Sequence, residues 1–444
     1  MDSLDALRAG RLAGARHLKL ACGLTEFPPE ILELADTLEV LDLSGNRLTS
    51  LPPELSRLHR LRILFCSGNP FTVLPEVLGE CPRLEMVGFK SCDLHTVPMD
   101  ALPARLRWLI LTDNAIADLP AAIGHCAGLQ KLMLAGNRLR ALPDAMAACT
   151  GLELLRISAN RLTALPAWLF ELPRLSWLAY AGNPFCASVE RSRLGGDAAI
   201  RIPRADLSLG ERLGEGASGV IRLAAWAGSG GERPVAVKLF KGAMTSDGLP
   251  QHEMRACLEA GDHPGLIPVL GRLEAEDEAA DGLVMALIDQ AFANLAGPPS
   301  LESCTRDVYA DGATFTMDAV LRIAGGITSV AAHLHRRGIL HGDLYAHNIL
   351  HTGEGRALLG DFGAASFFAP DDEGVAPALQ RIEVRAFACL LEELIVRCAE
   401  SGPRLQSLER LQRLCADPVP SRRPLFEDVE AELARIAALA LHFS

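Results

Sequence analysis

Residues 18 to 185 repeat with a period of 22 or 23, and a period of that length leaves few folds open. Leucines open the units at Leu38, Leu61, Leu84, Leu106, Leu129, Leu152 and Leu175, after an earlier, degenerate unit at Leu18. One unit reads LEVLDLSGNRLTSLPPELSRLHR. Its alternating segment predicts a short strand, with every second side chain in a shared core. Asparagines at 46, 69, 114, 137, 160 and 183 predict a ladder in which side-chain amides satisfy turn backbone groups; Cys92 takes that place in the fourth unit. Leu-Pro pairs such as Leu51-Pro52 and Leu142-Pro143 end the strand direction and begin the convex side.

The pattern LxxLxLxxN at this spacing marks a leucine-rich repeat, about eight units long. No acid–base or metal constellation recurs in the units, so this half reads as non-catalytic. The residues flanking the buried leucines predict two outward rows. One is Val40, Ile63, Met86, Trp108, Lys131, Leu154 and Trp177; the other is Asp42, Phe65, Gly88, Ile110, Met133, Arg156 and Ala179. Phe65, Met86, Trp108, Ile110, Met133 and Trp177 make an apolar stripe where solvent would favour polar groups, and such a stripe marks an interface. It is expected to bind a protein partner or the chain's own second half.

Composition narrows the rest. The chain has 444 residues, enough for two or three domains, and 49% of them are apolar. A formal charge of −12 and the lack of a basic run argue against nucleic acid. Twelve scattered cysteines without metal-ligand spacing point to reduced thiols and a cytoplasmic protein. The N-terminus lacks a secretory core, and no run reaches about 18 uncharged apolar residues, so no membrane span is expected. Five lysines against 38 arginines suit a GC-rich, bacterial genome better than the alternative, a protein exported into another cell.

Periodicity stops after Asn183-Pro184-Phe185. Residues 186–205 read as repeat cap and linker, giving domains at 1–185 and 206–444. Within the second, HGDLYAHN (341–348) sets Asp343 and Asn348 five residues apart after a helical pattern at 317–338. LGEGASGV (213–220) supplies Gly214, Gly216 and Gly219, suited to close passage over phosphates. By itself this loop could equally be a dinucleotide loop or a surface turn, but its strand-rich setting argues against the dinucleotide reading. VAVK follows with Lys238, then a helical stretch with Glu253 and its rival Glu259 as ion-pair partners. LVMALID (283–289) reads as a buried strand, and DFG begins at Asp361, thirteen residues after Asn348.

In this order and spacing the motifs resemble those of the protein kinases. EVRAFACLLEEL (383–394) and DPVPSRRP (417–424) extend the resemblance through the second half. The fold class expected is an α/β leucine-rich repeat solenoid followed by an α+β two-lobed protein kinase-like domain. The resemblance implies that Lys238 holds ATP phosphates with Glu253 fixing it, that Asp343 orients the substrate hydroxyl, and that Asn348 and Asp361 hold Mg²⁺. It places Leu213, Gly214, Gly216, Gly219, Val220, Ala236, Lys238, Met285 and Leu287 around the nucleotide. Three readings stand: an active protein kinase, serine/threonine rather than tyrosine; a nucleotide-binding pseudokinase scaffold; and a small-molecule kinase.

The sequence departs from the family at defined places. Gly342 stands where an arginine normally reads a phosphate on the activation loop. Ser366 is the only hydroxyl residue between Gly363 and Glu383, so activity is expected without phosphorylation there. Tyr345 and His347 match neither specificity mark. Ala376-Pro377-Ala378 reads as a remnant of the family's APE, which leaves Arg423 without its customary glutamate, and Glu383 replaces the aspartate that braces the catalytic loop. These changes fall on the substrate platform more than on the nucleotide site.

Overall fold

A computed structural model describes residues 4–192, 200–216, 218–228, 231–241, 244–274 and 282–439. Part of the expected linker (193–199) and Ala217 of the glycine loop lie outside the described residues. The chain divides into two compact units: Met1–Leu175 with Asn183–Phe185, and Ser176–Gly182 with Cys186–Ser444.

In the first unit, helix α1 (Leu4–Arg8) precedes seven short strands: β1 (His17–Lys19), β2 (Val40–Asp42), β3 (Ile63–Phe65), β4 (Met86–Gly88), β5 (Trp108–Ile110), β6 (Lys131–Met133) and β7 (Leu154–Arg156). They pair in parallel, each residue opposite its counterpart one repeat on. The central leucines Leu41, Leu64, Leu109, Leu132 and Leu155 are buried. Each contributes about 1.5–3 kcal/mol relative to exposure. The asparagine ladder forms as the spacing predicts. Asn46 Oδ1 accepts from Cys22 and Leu24 N–H at 3.1 and 3.0 Å, while its Nδ2 donates to the Leu20 and Leu43 carbonyls at 2.7 and 2.8 Å. Cys92 keeps one rung, its thiol donating to the Cys66 carbonyl at 3.5 Å. Pro52, Pro120, Pro143 and Pro166 each sit immediately before a 3₁₀ turn; α2 (Val77–Glu80) replaces that turn in one repeat.

The apolar stripe is narrower than expected. Phe65, Trp108, Ile110 and Met133 are partly exposed. Met86 and Trp177 are each 1% exposed. Met86 lies between its register neighbours Ile63 and Trp108. Trp177 is covered within the second unit, because its ring stacks on Tyr345.

The second unit begins with β8 (Trp177–Ala179) and α3 (Ala187–Ser192). Its large sheet has the order β10 (Leu207–Glu215), β11 (Gly219–Gly228), β12 (Gly231–Phe240), β14 (Gly282–Ala286), β13 (Val269–Glu274) and β9 (Arg201–Pro203). One face packs Ile202, Leu207, Ala224, Val235, Val237, Leu273 and Val284 into a core. Helix α4 (Pro250–Ala260) follows β12. The helical part is built on α5 (Met317–Arg336), α6 (Ala376–Val396), α7 (Pro403–Cys415) and α8 (Phe426–Ala438). Thr316 caps α5 by accepting from Ala319 N–H at 3.2 Å, and Val320, Ile323, Ala324, Ile327, Val330, Ala331 and Leu334 supply its buried stripe. Small ladders hold the loops between: β15 (Ala293–Asn294) with β17 (Ile349–His351) and β18 (Ala357–Leu359), and β16 (Ile339–Leu340) with β19 (Ser366–Phe367). No helix among the described residues is long and apolar enough to cross a membrane.

Candidate active site

The glycine loop is the turn from β10 to β11. Two register shifts between Leu209 and Gly214 bend β10 toward it, and Gly216 N–H donates to the Gly219 carbonyl at 2.9 Å. Gly219 is fixed by close approach: a Cβ there would stand 2.4 Å from the Leu239 carbonyl oxygen. At Gly214 and Gly216 a Cβ would meet open space, which leaves room beside the loop.

Strand register decides what shares a face with Lys238. Lys238 pairs with Ile221 on one side and Leu283 on the other, and Ala236 pairs with Leu223 and Met285. Directly opposed residues project to the same face, so Ile221, Leu223, Ala236, Met285 and Lys238 line one surface. Val220 pairs with Leu239 and falls on the opposite face. The expectation for Val220 is therefore corrected to Ile221, because a single step along a strand turns the side chain over. Leu213 and Leu287 are 46% and 40% exposed at the edge of this surface.

Lys238 and Glu253 form an ion pair, with side chains 12% and 2% exposed. Glu259, the rival partner, instead accepts from Arg255 Nε at 2.8 Å. Burial disfavours the Lys238 ammonium, but the Glu253 and Asp361 carboxylates outweigh it and hold its pKa above the ordinary lysine value. Burial raises the Glu253 carboxyl, and Lys238 opposes that. A Cβ on Gly363 would lie 3.2 Å from Asp361 Oδ1 and 3.8 Å from Glu253 Oε2, so DFG passes directly beside the ion pair. Asp361 has φ +54°, a left-handed conformation that Asp tolerates better than most residues. Gly363 N–H donates to Asp361 Oδ1 at 3.1 Å.

Asn348 Nδ2 donates to the Asp343 carboxylate at 2.8 Å and to its carbonyl at 2.9 Å. Because Nδ2 donates to Asp343, the side-chain oxygen Oδ1 of Asn348 is the acceptor that remains. With the exposed Asp361 carboxylate it gives an oxygen donor set that fits a hard cation such as Mg²⁺. His341 Nε2 lies 3.0 Å from the Gly360 carbonyl and ties the Asp343 loop to the residue before Asp361. Glu383 keeps its brace despite the exchange for aspartate. Its longer side chain accepts from Gly342 N–H at 2.8 Å and meets His335 Nε2 at 2.7 Å. Burial would raise its pKa, but these contacts hold it below the ordinary value.

His347 is anchored through Asp307, which takes its ring Nδ1 at 2.8 Å and its backbone N–H at 2.9 Å. Burial disfavours the imidazolium, but the Asp307 hydrogen bond and charge, with Asp343 and Asp361, hold the pKa above the usual histidine value. A raised folded-state pKa gives stability that is complete below pH of about 6.5 and is lost as pH rises through the folded value. Asp307→Asn is expected to lower the melting temperature more at pH 6 than at pH 8.5. Equal losses at both pH values would refute the assignment.

Beyond DFG, Ala376-Pro377-Ala378 forms the first turn of α6 instead of a separate platform element, and the same helix carries Glu383. Arg423 is 1% exposed and donates to the carbonyls of Asp417 and Arg381 at 3.0 and 3.2 Å.

Comparison with known proteins agrees with this layout. A family described as "Protein tyrosine and serine/threonine kinase" matches residues 207–395. Leucine-rich repeat families match residues 36–89, 104–162 and 127–185. Fibroblast growth factor receptor 1 of Pleurodeles waltl is 24% identical over 323 residues, covering 60% of this chain and 39% of the relative. The protein of that name from Xenopus laevis is 23% identical, covering 59% and 38%. The L-type lectin-domain containing receptor kinase S.7 of Oryza sativa subsp. japonica is 28% identical over 191 residues, covering 38% and 26%. The chain thus spans well under half the length of these relatives. Their sources, two amphibians and rice, lend no support to the expected bacterial origin.

Proposed function

The chain carries leucine-rich repeats followed by a protein tyrosine and serine/threonine kinase domain, and on that premise we propose that it transfers the γ-phosphate of ATP to a protein hydroxyl. The observation that carries this reading is the Lys238–Glu253 ion pair lying beside Asp361, with Asn348 hydrogen-bonded to Asp343 on the neighbouring loop. Phosphoryl transfer asks little covalent chemistry of a protein; it asks for in-line positioning and neutralised charge. Lys238, fixed by Glu253, would take the α- and β-phosphate oxygens. Ile221, Leu223, Ala236 and Met285 would contact the base, under the loop of Gly214, Gly216 and Gly219, with Leu213 and Leu287 at the rim. Asp343 would orient the acceptor hydroxyl and take its proton. Asn348 and Asp361 would hold Mg²⁺, which supplies neutralisation of phosphate charge when bound. The repeats serve as a protein-interaction module through Phe65, Trp108, Ile110 and Met133.

A small-molecule acceptor is the second reading, favoured by the absorption of Ala376-Pro377-Ala378 into α6 and the short segment before it. One experiment separates the readings. The full chain is incubated with γ-labelled ATP and Mg²⁺, with a protein acceptor or a metabolite mixture, beside an Asp343→Ala control. Label entering protein, lost in the control, supports a protein kinase, and phosphoamino-acid analysis then tests our preference for serine and threonine. Label entering only metabolites supports the second reading. ATP binding without transfer would contradict both.

A further inference from the structure

The catalytic loop and the strand after DFG are both held by a third piece of the same unit, the segment Ser176–Gly182. Trp177 lies flat on Tyr345, with ring centroids 4.0 Å apart and planes 6° from parallel. Its indole Nε1 donates to the Leu344 carbonyl, next to Asp343, at 3.1 Å. Arg306 stands 5.6 Å from the same indole ring. Three residues on, Tyr180 N–H donates to Ser366 Oγ at 2.9 Å, and the Tyr180 hydroxyl donates to the Phe367 carbonyl at 3.3 Å. Trp177, Tyr180, Ser366 and Phe367 are each no more than 1% exposed.

The same segment accounts for Gly342. This glycine has φ +75°, and a Cβ on it would stand 2.5 Å from the Ala364 carbonyl oxygen and 2.7 Å from the Leu178 carbonyl oxygen. No side chain fits between those oxygens, so the arginine found at this place in the resembling enzymes is sterically excluded. Ser366, the one hydroxyl residue of the loop, is sealed inside with its oxygen accepting a hydrogen bond. At these two positions, therefore, there is neither an arginine to read a phosphate nor an exposed hydroxyl to carry one, and the Leu178 carbonyl of Ser176–Gly182 lies where a side chain at 342 would begin.

We infer that Ser176–Gly182 is a positioning element for phosphate transfer, locking the Asp343 loop and the Ser366–Phe367 strand in place from within the chain. This rests on the proposed phosphotransferase reading. The contacts go to the Leu344 and Phe367 carbonyls, the Tyr345 ring and the Ser366 hydroxyl, groups that shape the loops around the reacting atoms. Trp177 and Tyr180 act through those loops.

The test uses the full chain with Trp177→Ala, Trp177→Phe and Tyr180→Phe, read by steady-state kinetics and by hydrogen exchange of the amides at 341–348 and 364–368. Trp177→Ala is expected to lower kcat by about tenfold or more, since small misplacements at a reacting centre are costly. Its KM for ATP should stay within about twofold, because the nucleotide contacts are untouched. Exchange at both segments should rise, and Trp177→Phe, which keeps a stacking ring, should recover part of both losses. If Trp177→Ala does not fold, Tyr180→Phe carries the test, with faster exchange at 364–368 and a lower kcat expected. Unchanged kcat and exchange would overturn the inference, as would a rise in kcat, which would make the segment an inhibitor. A wild type that transfers no phosphate would sink the functional reading alone, because the exchange measurement stands without it.

Discussion

Asp343→Asn is expected to lower kcat by about 10²- to 10⁴-fold, the range usual for loss of a positioned acid–base group. The folded state should barely notice. Asparagine has the same shape, and its side-chain oxygen can still accept from Asn348 Nδ2, which now bonds the carboxylate at 2.8 Å. What is lost is the basic oxygen that would receive the hydroxyl proton. Steady-state kinetics over a range of ATP concentrations checks this, beside a thermal melt. A loss confined to KM would mean that Asp343 binds substrate without reacting.

Restoring the familiar arginine should damage this chain. Gly342→Arg forces a side chain into a left-handed position, at a cost of about 1–3 kcal/mol. It also pushes a Cβ against the Ala364 and Leu178 carbonyls, at about another 1–3 kcal/mol for overpacking. Together these predict a fall in melting temperature of roughly 5–20 °C for a unit of this size. Gly342→Ala should shift the melt in the same direction by less. A wild-type melt for the arginine variant would show that the two carbonyls can part, and would remove the steric account of Gly342.

Much of the fold is legible in the chain because its signals are local. The repeat writes its period into every unit, and the asparagine ladder follows from one residue type at one place, even where Cys92 substitutes. The ion pair of Lys238 with Glu253, and not with Glu259, follows the family spacing, since Glu253 lies ten residues before His263-Pro264. The misses have different causes. Val220 fails on parity, since the alternation of β11 puts Ile221 beside Lys238, a signal present in the sequence. Met86 and Trp177 are periodic in the way expected of exposed residues, yet both are buried. For Trp177 the reason lies 167 residues away, at Leu344. Gly342 reads from sequence as a lost phosphate reader; only the oxygens on either side of it show that a side chain is excluded. Glu383 reads as a weakened brace, but its extra methylene lets it reach both Gly342 and His335.

The proposed transfer needs no phosphate on the segment that follows DFG, because Gly342 leaves no arginine to read one and Ser366 is buried. The most direct measurement is the initial rate of γ-phosphate transfer by the full chain before and after exhaustive phosphatase treatment, with intact-mass confirmation that no phosphate remains on Ser366. Equal rates are expected. A treated protein that is inactive until Ser366 is phosphorylated again would contradict this.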